Sequence, residues 1–258
     1  MVVGAGSVNA AWQAFSDELA RWRDAGRTVD FWWRDDDAAQ ATPALARLLG
    51  LAQTSATPLA LAVIPAHFEA EAFAQAGLMI SLLQHGTDHR NRAAPGEKKT
   101  EFPAAEPVAG AVARLAAARA RLALHPRFLP VLAPPWNRLP EPLAAQLAAA
   151  GFQGLSRYGA RAGALAAAGV VQVNTHVDLI AWRAGRSFAG DAPCLLAAVR
   201  HLAAKREGAA DPGEATGWLS HHGVHDEEAW SFLERLLEAT GHMSGVRWRA
   251  APELFHAQ

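Results

Sequence analysis

Cysteine is nearly absent. The one thiol, Cys194, excludes a disulfide framework within the chain and a zinc site built from several thiolates. Lysine is almost as scarce: Lys98, Lys99 and Lys205 are the whole set, so the positive charge is arginine. With the alanine excess, this follows genome base composition and carries no functional weight. Neither sign of charge dominates, and a formal net charge of -1 gives no electrostatic support for a nucleic-acid or acidic-membrane partner. No apolar stretch approaches the ~20 residues that a membrane-spanning helix needs. The opening MVVGAGSVNAAWQAF lacks the basic segment followed by an apolar one that marks a secretory signal, so a cytoplasmic location is expected. No glycine-rich phosphate loop follows a strand-like run, and no Pro/Ser-rich linker divides the chain. What is present, 258 residues with 51% hydrophobic and 19% charged, excludes disorder and allows a substantial core. One domain spanning residues 1–258 is expected.

Periodicity predicts a first helix over about 7–25, where Trp12, Phe15, Leu19 and Trp22 recur at helical spacing. This stripe is open to two readings, core packing or contact with a second copy. Short runs rich in Val, Ile, Leu, Trp and Phe follow at 28–33, 58–64, 78–83, 128–132, 152–155, 170–173 and 217–219. Segments of helical period lie between or after them, at 43–53, 68–74, 106–124, 141–150, 160–168, 193–206 and 227–240, and a last short strand is expected at 246–249. Strand–helix alternation points to a parallel sheet with crossover helices, and this many repeats favour a (β/α) barrel with an open seam over a flat doubly wound sheet. The polar stretch 90–103 reads as a long loop.

The chemistry-bearing residues fall at the ends of the apolar runs. The first run ends in Arg34-Asp35-Asp36-Asp37, the third in His85-Gly86-Thr87-Asp88-His89, the fourth in Pro134-Pro135-Trp136-Asn137-Arg138. The sixth leads to His176-Val177-Asp178 and the seventh to Ser220-His221-His222. A parallel barrel gathers these carboxyl ends at one rim, where such folds place their active sites. Three adjacent carboxylates repel, and a cation or basic partner relieves the cost. His85 and His89, four apart, can reach one metal. With an aspartate from another strand end they form a His-His-Asp set that leaves a position for water. Adjacent strand residues point to opposite faces, so at most one of His221 and His222 faces a pocket directly, where it is placed to act as a general acid.

In this order the motifs resemble those of the polysaccharide deacetylases, the NodB-homology or family-4 carbohydrate esterases, over roughly residues 28–226. Trp33-Arg34-Asp35-Asp36-Asp37 stands where that family has T-F-D-D-G, and Thr42-Pro43 follows as its helix-opening Thr-Pro does. That register makes Asp35 similar to the catalytic base and Asp36 to the metal ligand; a register slipped by one gives Asp36 and Asp37 instead. His85-Gly86-Thr87-Asp88-His89 matches H-[ST]-x-x-H, with Gly86 in place of Ser or Thr. Ala133-Pro134-Pro135-Trp136 resembles R-x-P-[YFW] without its arginine, which in the family orients the catalytic aspartate; Arg34 and Arg138 are the candidates to replace it. Asp178-Leu179-Ile180-Ala181-Trp182 resembles D-x-x-D-W with the second aspartate lost. Leu219-Ser220-His221 resembles the strand ending Leu-x-His, with His222 as its rival.

The resemblance implies a distorted (β/α)7–8 barrel and a metal-dependent hydrolase that removes an N-acetyl group from an amino sugar or glycan. It implies a divalent metal, Zn2+ first, held by Asp36, His85 and His89. Asp35 would be the base, Trp136 the backbone donor of an oxyanion hole, His221 or His222 the acid, and Asp178 the residue orienting that acid. Trp136 and Trp182 are candidates to stack on a sugar ring, and the loop 90–103 is a candidate cover for the substrate. Two other readings keep the fold. One is hydrolysis of a small non-sugar amide or cyclic ureide, the other a sugar-binding relative without turnover.

Overall fold

The computed structural model describes residues 5–74, 77 and 79–256. The elements in order are α1 (Ala5–Asp24), β1 (Val29–Ala38), α2 (Pro43–Thr54), β2 (Leu59–Val63), β3 (Ile80–His85), α3 (Val108–Leu122), β4 (Phe128–Ala133), α4 (Glu141–Ala144) and β5 (Gly154–Leu155). There follow β6 (Leu165–Ala167), β7 (Val170–Gln172), β8 (Val177–Asp178), β9 (Ile180–Ala181), β10 (Ser187–Phe188), α5 (Asp191–Glu207), β11 (Thr216–Ser220), α6 (Glu227–Gly241), β12 (Val246–Trp248) and α7 (Ala251–Leu254). Leu78, the first residue of one expected strand, lies outside the described residues. No helix among the described residues is long and apolar enough to cross a membrane.

The main sheet runs β6-β7-β5-β4-β3-β2-β1-β11-β8, with β12 also on β1, and every pair but β6–β7 is parallel. β7 and β8 are parts of one stretch, 170–178, that reaches both ends of the sheet. Val173 and Thr175 donate to the carbonyls of Leu155 and Arg157, and His176 to that of Gly217. This stretch brings the two ends of the sheet together without a regular closing ladder. The result is a distorted barrel, as expected from the strand–helix alternation.

Parallel strands covered on both faces must be apolar on both, which is why the runs read as continuous rather than alternating. Trp32, Ala60, Ala62, Leu83, Val131, Ala133, Val171 and Val173 form one cluster, against which Phe255 packs edge-on to Trp32 with ring centroids 5.8 Å apart. The alternate residues Phe31, Trp33, Leu61, Val63, Leu82 and Trp218 face the helices. Phe15, Leu19 and Trp22 of α1 are buried in that second cluster, so the stripe is core packing, each side chain contributing about 1.5–3 kcal/mol. α2 begins where Thr42 accepts the Leu45 N–H and Pro43 takes the first turn.

Three expected helices are not formed as such. Residues 160–168 instead give β6, which turns back antiparallel on β7. Gly159 and Gly169 bound the stretch with φ of 91° and 73°; Leu165 stays exposed, while Ala166 and Ala167 pack on the cluster of α3, β4 and α4 as part of a strand. Helix 141–150 stops at Ala144 and continues as turns. Residues 68–74 form only a short 3-10 turn, Ala70–Phe73.

Away from the rim, Glu214 ties three segments together. It accepts the N–H groups of Arg161 at 3.0 Å and Asn174 at 2.9 Å, and its Oε2 lies 3.3 Å from His176 Nε2 and 3.8 Å from His201 Nε2. The two imidazoles stack with centroids 3.5 Å apart. Burial lowers the pKa of both, that of His201 to about 4, while these imidazoles outweigh the burial that would raise Glu214 and hold it low. Unfolding therefore takes up protons that the folded chain refuses, so stability rises with pH through this window. The unfolding free energy should fall between about pH 6.5 and about pH 4, and His201→Gln should flatten that slope by up to about one proton, as urea denaturation across the window will show.

Candidate functional site

The site starts from an irregularity at the end of β1. Arg34 pairs with Ala60 and Asp35 with Leu61, but Ala38 pairs with Val63, so three steps in β1 match two in β2. The extra residue is a β-bulge, a device that re-aims side chains at barrel rims. Within it Asp37 has a left-handed φ of 70°. The bulge sends the three consecutive carboxylates to three separate sets of partners, which relieves their mutual repulsion.

Asp37 meets the histidines. Its Oδ1 lies 3.2 Å from both His85 Nε2 and His89 Nε2. The carboxylate expected there was that of Asp36, or that of Asp37 in the register slipped by one; the bulge places Asp37 beside the histidines. His85 donates its Nδ1–H to the carbonyl of Ala133 at 2.8 Å. In a neutral imidazole this leaves the Nε2 lone pair aimed at a carboxylate oxygen, an acceptor against an acceptor. A proton or a cation has to lie between them, and an outer hydrogen bond of this type is the usual support of a metal-ligating histidine. Burial opposes charge on His85, but Asp36 and Asp37 outweigh it and raise its pKa. Burial and the neighbouring His85 lower that of His89. Burial would raise Asp37, yet His85, His221 and His89 hold it well below the usual carboxylate range. The donor set of two imidazoles and one carboxylate therefore fits a divalent metal such as zinc.

Asp36 is gripped by Arg34. Nε donates to Oδ1 at 2.8 Å and Nη2 to Oδ2 at 2.9 Å, a two-pronged pairing along one strand. The remaining guanidinium donors reach Ser156 Oγ at 2.7 Å, its carbonyl at 3.1 Å and Asn137 Oδ1 at 2.7 Å. Both charged side chains are buried. Of the two arginines proposed to replace the one missing at Ala133, Arg34 makes this contact, while Arg138 donates to the Lys99 carbonyl. Asp35, expected as the base, is engaged elsewhere. His222 Nδ1 lies 2.5 Å from its Oδ1, and its Oδ2 accepts the Ser220 hydroxyl at 2.6 Å and the His222 N–H at 3.0 Å. Burial opposes charge on each partner, but the contact between them lowers Asp35 and raises His222.

That pairing separates the two candidate acids. His222 is committed to Asp35, whereas His221 Nε2 lies 4.0 Å from Asp36 Oδ2 and its Nδ1 3.9 Å from Asp178 Oδ1. Asp178 accepts the Trp182 indole N–H at 2.8 Å, and Trp182 stands edge-on to His221 at 4.7 Å between centroids, 39% exposed. Burial raises the Asp178 pKa against the pull of His221. Trp136 lies with its ring centroid 4.5 Å from that of His89, on a left-handed backbone with φ of 56°. These contacts join Asp36, Asp37, His85, His89, Trp136, Asp178 and His221, with Asp35 and His222 paired beside them, whereas His176, also expected at the rim, lies with Glu214 and His201. Sequence reasoning missed Ser156 and Glu101, ordinary polar residues with no motif to mark them, and gave Asn137 a place in the fourth polar run but no role.

One other cluster among the described residues has ligand-type side chains, His176, His201 and Glu214. His176 Nδ1 accepts the Gly217 backbone N–H at 2.9 Å, so the ring proton sits on Nε2, the nitrogen facing Glu214. That tautomer offers a metal no lone pair from His176.

No family model and no curated protein matches this sequence. Solved structures do match. A family 4 carbohydrate esterase from Streptomyces lividans in complex with acetate aligns with a TM-score of 0.54 at 12% identity, over 90% of this chain and 96% of that one. A polysaccharide deacetylase from Bacillus cereus gives 0.51 at 14% identity over 89% and 95%. The peptidoglycan deacetylase PdaC from Bacillus subtilis gives 0.52 at 12% identity over 88% and 90%. The chain has the fold of the polysaccharide deacetylases.

Removing Arg34 leaves Asp36 buried without its counter-charge. Arg34→Met should cost ~3–5 kcal/mol of stability in chemical denaturation, and a double-mutant cycle with Asp36→Asn should return a favourable coupling.

Proposed function

We propose that this chain, on the polysaccharide deacetylase fold, is a metal-dependent hydrolase that removes an N-acetyl group from an amino sugar or glycan. The observation that carries this reading is the convergence of Asp37 Oδ1 on His85 Nε2 and His89 Nε2 at 3.2 Å, with His85 Nδ1 spent on the Ala133 carbonyl. Asp37, His85 and His89 would hold the ion, and two nitrogens with one oxygen suit Zn2+. When bound there, such an ion supplies Lewis-acid chemistry, activating water at neutral pH and polarising the amide carbonyl.

The chain's own groups account for the protons. Asp36, held at both oxygens by Arg34, takes the proton of the water that attacks the acetyl carbon. This assignment replaces Asp35, which pairs with Ser220 and His222, because Asp36 is the carboxylate that stands 4.0 Å from His221 Nε2 and acts on His85. The N–H of Trp136, presented by a left-handed turn, would donate to the oxygen that gains charge; one such donor is typically worth ~10²–10³ in rate. His221 gives a proton to the nitrogen as the C–N bond breaks, leaving acetate and a free amine. His222, locked to Asp35, keeps the strand end that carries His221 in place, and Asp178 lines His221 on its Nδ1 side. Trp182, indole N–H fixed by Asp178 and partly exposed beside His221, presents a flat apolar face of the kind that stacks on a sugar ring. A binder without turnover would have no use for a base, an acid and three ligands set around one point.

Metal analysis with an acetate-release screen over N-acetylated sugars and small amides tests the reading. His85→Ala, His89→Ala and Asp37→Asn should lose both metal and hydrolysis. Asp36→Asn should keep the metal and lose ~10²–10⁴ in kcat. Metal lost from Asp36→Asn but kept by Asp37→Asn would overturn the assignment, and full activity after complete chelation would overturn the metal itself.

A further inference from the structure

His85 ends β3, but His89 is carried by a loop, and that loop is bent at both ends. Gly86 has φ of 62° and His89 φ of 56°, so the turn that brings the second imidazole back over the first runs through left-handed backbone. Such a turn persists only where its surroundings hold it. Its backbone N–H groups converge on one carboxylate, that of Glu101, which is 0% exposed. Glu101 Oε1 accepts the N–H of Thr87 at 2.8 Å and of Asp88 at 3.3 Å, together with the Thr87 hydroxyl. Oε2 accepts the N–H of His89 at 3.2 Å. Three consecutive amides around one anion form a nest.

The charge of Glu101 is directed at this loop. The nearest cation, Arg92 Nη1, stands 3.8 Å away, and Arg92 is itself paired with Asp88 at 2.8 and 2.7 Å. Phe102, next in sequence, is buried in the cluster of α3, β4 and α4 and pins the far side. The stretch 90–103, expected as a cover for the substrate, thus sends one carboxylate underneath the ligand loop. This also accounts for Gly86. A Cβ there would collide with Glu101 Oε2 and with the ring of Pro135, so the carboxylate occupies the room that a Ser or Thr side chain at this motif position would need.

We propose that Glu101 is the positioning residue of the metal site: its carboxylate holds the amides of Thr87, Asp88 and His89 and thereby sets His89 against His85 and Asp37. This rests on the reading of Asp37, His85 and His89 as the ligands. A carboxylate only accepts hydrogen bonds. A carboxamide in its place turns an NH2 group toward at least one of these donors.

The test is the affinity of the metal-stripped protein for Zn2+ alone, by calorimetric titration, with Co2+ absorption as a second signature and no substrate present. Glu101→Gln, measured where circular dichroism shows it folded, should bind Zn2+ 10–100-fold more weakly than the parent and shift the Co2+ spectrum. Glu101→Asp should recover part of the loss. A residue that only supports the fold would lower the melting temperature and leave both readouts unmoved. Should Glu101→Gln fail to fold, Thr87→Val, which removes one donor to the same oxygen, should weaken Zn2+ binding ~3–10-fold. Zn2+ affinity within twofold of the parent in the folded variant overturns the proposal while leaving the metal site intact. A parent that binds Zn2+ no better than His85→Ala overturns the metal reading and this proposal with it.

Discussion

The structure turns on keeping three adjacent carboxylates apart. In a regular strand Asp35, Asp36 and Asp37 would alternate between two faces, and two of the three would share one. The bulge at the end of β1, with Asp37 in left-handed backbone, gives each its own counterpart: His222 and Ser220 for Asp35, Arg34 for Asp36, His85 and His89 for Asp37. Inside a protein, like charges at such spacing are tolerable only when each is matched. The same distortion that solves this electrostatic problem aims the last carboxylate into the mouth of the barrel. Charge separation and site construction are one event.

Around that point the site uses local replacements for groups that the family motifs place elsewhere. No arginine stands at Ala133; Arg34, two residues before Asp36 on the same strand, makes the carboxylate pairing, and its guanidinium crosses the barrel to Ser156 and Asn137. Ala133 keeps a part through its carbonyl, which fixes the His85 tautomer. The Ser or Thr of the histidine motif is replaced by a glycine that makes room for a carboxylate from a loop fifteen residues on. In both cases the function sought is the same, a fixed acceptor or donor at a fixed place, and the chain position that supplies it has moved. Sequence identities of 12–14% to structures of the same fold are compatible with such exchanges.

Burial explains why these replacements must be complete. Arg34, Asp35, Asp36, Glu101 and Glu214 lie at or near zero exposure, and a buried ion without partners costs several kcal/mol. Arg34 spends its donors on four acceptor groups, and Glu101 gathers three amides and a hydroxyl. The buried charges under the rim therefore sit in matched sets.

Much of the architecture could be read before any coordinates. Apolar runs such as 58–64 and 128–132 are strands because a parallel sheet buried on both faces demands continuous apolar residues, and the polar clusters at their carboxyl ends foretold one rim. His85 and His89 were legible from spacing, and His221 from its place after Leu219-Ser220. The stretch 160–168 was misread as a helix because alanine favours one locally, and only docking decides whether a short helix survives. The sequence left two registers open for Asp35-Asp36-Asp37, since a one-residue bulge leaves no trace in composition or period and yet turns every side chain beyond it. Residue types, their order and the rim they share follow from the linear chain, because period and turn chemistry are local. Which carboxylate meets the imidazoles, which arginine replaces the missing one, and that Glu101 lies under the loop were decided by tertiary contacts, because those depend on where distant strands end relative to one another.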